Sequence, residues 1–67
     1  MIEERINFVC YNDDYEFDIT FVKDNEGWRV KDVKGDYPYW VPNQTYMHYL
    51  TKNDIADWLS KDFIVNQ

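Results

Sequence analysis

The chain has 67 residues, thirteen of them aromatic, and thirteen acids against seven bases give a formal charge of -6. A chain this short buries only about 60% of its unfolded surface, so it needs a dense core, a staple or a partner. One cysteine excludes an intrachain disulfide, and Cys10 with His48 is too small a Cys/His set for a conventional zinc site, so no metal or cofactor is expected.

Aromatic rings must then build the core. Their abundance argues against disorder. No apolar run reaches the length of a membrane span. Met1-Ile2-Glu3-Glu4-Arg5 is acidic and lacks the apolar stretch of a signal peptide, which points to a reduced, cytoplasmic setting. Asn43-Gln44-Thr45 fits the glycosylation pattern and is incidental without secretion.

In chain order, Ile6, Phe8 and Cys10 share one parity, as do Tyr15, Phe17, Ile19 and Phe21. Period two predicts strands over about 5–11 and 15–23. Asn12-Asp13-Asp14 between them is turn chemistry. With Asp13-Asp14 at the loop centre, Cys10 faces Phe17, Phe8 faces Ile19 and Ile6 faces Phe21, so one face is apolar throughout. A one-residue slip would destroy that match. A four-residue loop preserves the same register.

Asp24-Asn25-Glu26-Gly27 is the second turn, leading into a strand over about 28–34. Lys23 then faces Trp28, Phe21 meets Val30, and Thr20 meets Lys31. That register puts Glu16 and Asp18 near Arg29 and Lys31, which predicts cross-strand charge compensation.

Pro38 and Pro42 exclude a central strand over 35–44. Alternation of Tyr46, His48 and Leu50 is compatible with a short fourth strand over 45–50. Thr51-Lys52-Asn53-Asp54 fits a capping box, with Leu50 and Ile55 placed for a hydrophobic staple. The helix runs over about 52–62, with Ile55, Trp58, Leu59 and Phe63 as its apolar stripe. Phe63-Ile64-Val65 reads as a docked tail. The expectation is one α+β domain over 1–67: an antiparallel meander of three or four strands packed against one C-terminal α-helix. Its core is Ile6, Phe8, Phe17, Ile19, Phe21, Trp28, Val30, Ile55, Trp58 and Leu59.

Trp28-Arg29-Val30-Lys31-Asp32-Val33-Lys34-Gly35-Asp36-Tyr37-Pro38, then Trp40-Val41-Pro42 and the closing helix, resembles the order found in chromodomains. That family has a curved three-stranded sheet, a Lys-Gly-Tyr-Pro-like turn, a Trp-x-Pro step and a C-terminal helix. The resemblance covers roughly half the chain and bears on fold order. At the family's cage tryptophan this chain has Asp32 or Val33. A methyl-lysine cage needs aromatic walls, so that function is not implied.

Chemistry has few carriers. Cys10 falls indoors by parity, where a cysteine behaves as a small apolar group. His48 is the lone histidine. The carboxylate pairs Asp13-Asp14, Glu16 with Asp18, and Asp24 with Glu26 match neither a calcium loop nor a cleft-bound acid–base pair. There is no phosphate loop or dinucleotide fingerprint. A non-enzyme is expected.

The aromatic segment Tyr37, Tyr39, Trp40, Tyr46 and Tyr49 exceeds what a core requires, and Tyr and Trp favour binding hot spots. The partner-binding set read from sequence is therefore Tyr37, Tyr39, Trp40 and Tyr46 as anchors. Asp13, Asp14, Asp24, Glu26 and Asp36 would steer encounter. By physical type, such small acidic domains are common among phage and mobile-element inhibitors, some of which mimic the charge of DNA. The leading expectation is a protein-binding module that occludes a basic, nucleic-acid-binding site on a host protein, without itself binding nucleic acid or membrane. The alternatives are a self-associating subunit, such as a homodimer, and a small-ligand or peptide binder using residues 37–49.

Overall fold

A computed structural model describes residues 3–43 and 47–66. The fold is α+β: a four-stranded antiparallel sheet with one C-terminal helix. β1 spans Arg5–Tyr11, β2 Glu16–Asp24, β3 Gly27–Asp36, α1 Lys52–Ser60 and β4 Ile64–Asn66. The sheet order is β3-β2-β1-β4.

The first hairpin has the register that alternation predicts: Ile6↔Phe21, Phe8↔Ile19 and Cys10↔Phe17. The loop is the four-residue version, residues 12–15, with the same register. Asn12 N donates to Tyr15 O at 2.8 Å, and Asn12 Oδ1 accepts from the backbone N–H groups of Asp14 and Tyr15. An Asx turn thus replaces the usual Asn-Gly chemistry.

The second hairpin keeps Lys23↔Trp28 and Phe21↔Val30, but a bulge follows. Thr20 pairs with Asp32 and Ile19 with Val33, so Lys31 is the extra residue. The bulge returns Val33 to the inner face, where it packs on the core. It also overturns the expected charge pairs. Arg29 binds Asp24 at 2.9 Å and Lys31 binds Glu3 at 3.5 Å, while Asp18 stands opposite Lys34 and Glu16 opposite Asp36.

The Lys-Gly step expected to turn the chain remains inside β3. Gly35 has φ +114°, and a Cβ there would lie 2.7 Å from the Glu16 carbonyl oxygen. Only glycine permits both the angle and that approach.

The fourth strand is at 64–66, paired with β1 through Val9↔Asn66, Cys10↔Val65 and Tyr11↔Ile64. Of the stretch 45–50, residues 45 and 46 lie outside the described residues. Tyr49 forms an isolated bridge to Trp28, with N···O distances of 2.8 Å in both directions. The capping box is present: Thr51 Oγ1 accepts from Asp54 N, and Asp54 Oδ2 accepts from Thr51 N. The staple is not, because Leu50 is 81% exposed. The helix ends at Ser60, two residues short of the expected boundary.

All ten expected core residues lie in the core, Trp58 only partly buried. Cys10, Val41 and Phe63 join them. Ring contacts run from Phe8 to Phe21, on to Tyr49 and Trp58, then to Trp40, Phe63, Phe17 and Tyr37. Edge-to-face pairs of this kind add about 0.5–1.5 kcal/mol each beyond area burial. This aromatic relay supplies the cohesion that a disulfide gives other small domains.

Candidate protein-binding surface

The molecule measures 38 × 19 × 19 Å, and each of its two hairpin turns carries a group of acids. The β2–β3 turn end holds Asp24 and Glu26. Asp24 Oδ1 accepts from Glu26 N at 2.9 Å, and Oδ2 accepts from Arg29 Nε at 2.9 Å. His48 Nε2 lies 3.4 Å from Asp24 Oδ2 and 3.5 Å from Glu26 Oε2. The Glu26 N–H foremost, then Arg29 and His48, hold the Asp24 carboxyl below the usual carboxylate range. At this end Asp24 has a basic partner in Arg29 and both carboxylates lie beside His48.

The β1–β2 turn end differs. Asp13 and Asp14 are exposed on the loop, and Asn12 Nδ2 donates to Asp62 O at 3.1 Å, tying the helix end to the turn. One transverse row of the sheet's outer face reads Ile64, Tyr11, Glu16, Asp36, and the next reads Asn66, Val9, Asp18, Lys34. Every one of these eight residues is exposed. Ile64, Tyr11 and Val9 form an apolar strip beside the carboxylates Glu16, Asp18 and Asp36, with Asn66 and the base Lys34 at the two ends of the second row. Among the described residues, no ion pair involves Asp13, Asp14, Glu16, Asp18, Asp36 or Asp62.

The residues singled out from sequence are thus scattered. Asp13, Asp14, Asp36 and Tyr37 share the acidic end, whereas Asp24 and Glu26 sit at the other. Tyr37 follows Asp36, is 36% exposed, and sets its ring edge-on to Phe17. Tyr39 is 84% exposed. Trp40 is half-buried, stacked on Phe63 at 5.9 Å and edge-on to Trp58 at 6.1 Å, so its ring serves the core. Tyr49 is likewise stacked on Trp58 at 5.6 Å. Tyr46 lies outside the described residues.

Val9, Tyr11, Glu16 and Ile64 were missed. Their signal was present in Phe8-Val9-Cys10-Tyr11, which is apolar on both parities. A strand with one solvated face has no structural need for that. Cys10 is fully buried and its thiol is pushed up to about 11, chiefly by desolvation, which removes its nucleophilic form at neutral pH.

Comparison with protein-family models, curated proteins and solved structures finds no match for the chain. No helix among the described residues is long and apolar enough to cross a membrane.

Proposed function

We propose that this protein is a non-enzymatic binding module whose acidic end docks on a basic, nucleic-acid-binding surface of another protein and occludes it. The observation that carries this reading is the outer-face row Ile64-Tyr11-Glu16-Asp36. It joins an exposed apolar strip to carboxylates without ion-pair partners among the described residues.

Glu16 directly opposite Asp36 is a like-charge pair, and such pairs weaken a sheet. A stability role would favour a base at either position. Unsatisfied repulsion that a basic partner would relieve is the pattern of a surface kept for binding. Tyr11 and Tyr37 supply aromatic contact area next to those acids, at the low entropic cost typical of anchor residues. Asp13 and Asp14 project from the turn and would steer encounter.

The test is capture from the native host with wild-type protein and with a D13N/D14N/E16Q/D36N variant at low salt. The captured protein is then challenged with duplex DNA and RNA. The reading expects a nucleic-acid-binding protein, captured only by the wild type and released by nucleic acid. Equal capture by the neutralised variant, with no competition from nucleic acid, would overturn it.

A further inference from the structure

The other end of the molecule carries a separate cluster. Asp24 and Glu26 come from the β2–β3 turn, and His48 from a segment more than twenty residues away in sequence. The Trp28–Tyr49 bridge locks the two segments together. Gly27, at φ +124°, makes this possible, because a Cβ there would lie 2.7 Å from the Tyr49 carbonyl oxygen. The result is that Asp24 Oδ2, Glu26 Oε2 and His48 Nε2 lie within 4.8 Å of one another. The two carboxylate residues, with Asn25, line an open concavity of about 300 Å³.

We propose that Asp24 Oδ2, Glu26 Oε2 and His48 Nε2 form a binding site for a divalent transition-metal ion of the zinc class. Zinc takes nitrogen and carboxylate ligands at about 2.0–2.2 Å, and tetrahedral angles then set ligand atoms ~3.4 Å apart. The imidazole nitrogen stands 3.4 and 3.5 Å from the two carboxylate oxygens. Those two distances match, and the third, between the two carboxylates, lies within 4.8 Å. The two carboxylates bring negative charge to the ion, part of it offset by Arg29, and the imidazole biases the set toward zinc over magnesium or calcium.

The carboxylate of Asp24 is already oriented from behind. Glu26 N–H holds Oδ1, and Arg29 Nε occupies one lone pair of Oδ2, leaving the other directed at the cluster. Hydrogen bonds of this kind fix ligand direction in metal sites. Three protein ligands leave one position for water or for a donor from a partner. The one thiol in the chain offers no competing site, because Cys10 is sealed in the core.

Calorimetric titration of the whole chain with zinc chloride, followed by amide NMR, tests this. Saturable one-to-one binding is expected, with shifts confined to residues 24–29 and 47–50. His48→Gln and Glu26→Gln should each weaken affinity by about 10-fold or more. Asp62→Asn, at the far end, should leave it unchanged. Glu26 is 77% exposed, so its variant folds as the wild type does and keeps the test decisive. Absence of saturable zinc binding up to millimolar concentration overturns the proposal. So does zinc binding that both variants retain at wild-type affinity, or magnesium binding as tightly as zinc. The outcome is independent of the acidic end, which none of these residues touches.

Discussion

The two hairpin turns are built from similar residues and end in opposite electrostatic states. At the β2–β3 turn, Asp24 binds Arg29 and lies within reach of His48, and its second oxygen is taken by a backbone N–H. At the β1–β2 turn, Asn12 does the structural work, and Asp13 and Asp14 are left to solvent. Register separates these outcomes. Arg29, on the turn side of the bulge, reaches Asp24, while the bulge at Lys31 brings Asp36 opposite Glu16. The lesson is that a net charge of -6 says little until register decides which acids have partners.

The largest effect that bears on this contrast is at Trp40. If its ring belongs to the aromatic relay, Trp40→Ala costs roughly 3 kcal/mol in urea unfolding. A fully stable variant that lost its partner would instead return Trp40 to the binding surface. Next come the glycines, one at each end. Gly35→Ala and Gly27→Ala each cost about 1–3 kcal/mol, because positive φ and backbone collision add. Gly27→Ala alone should also lose hydrogen-exchange protection at Tyr49, which depends on that turn.

Tyr49 gives a smaller effect of opposite sign. Its hydroxyl is buried with no hydrogen-bond partner among the described residues, and burial raises its pKa. Tyr49→Phe should therefore stabilise by about 1 kcal/mol in the same unfolding assay. The smallest effects contrast the ends directly. E16Q/D36N should raise stability by a few tenths of a kcal/mol through lost repulsion. Asp24→Asn should lower it. Because the Asp24 carboxyl is depressed on folding, its contribution is present above the unfolded Asp pKa and is lost as pH falls through the folded one. Carboxyl NMR titration of Asp24 below the ordinary Asp range checks that sign.

Much of the fold was legible because period two and helical spacing are local. Both turns, the first hairpin's register and the capping box follow from neighbouring residues. The bulge was less visible, although Val30 and Val33 stand three apart where alternation requires two. β4 was read as a tail because three residues carry almost no periodic signal. Only pairing with Val9, Cys10 and Tyr11 of β1 makes it a strand. The placement of Trp40 was not legible for a physical reason. Whether Trp40 faces solvent or Phe63 depends on how a proline-bearing crossing folds back, and no local pattern encodes that. His48 beside Asp24 is the same case, a contact made by two segments joined through one backbone bridge.

The most direct test of the acidic end is the salt dependence of the association rate with the captured partner. It should be measured from low to high ionic strength for the wild type and for D13N/D14N/E16Q/D36N. Electrostatic steering predicts a steep fall for the wild type and a slower, nearly flat rate for the variant. A wild-type rate that is itself flat, and equal to the variant's, would contradict the claim that this end is where the protein binds.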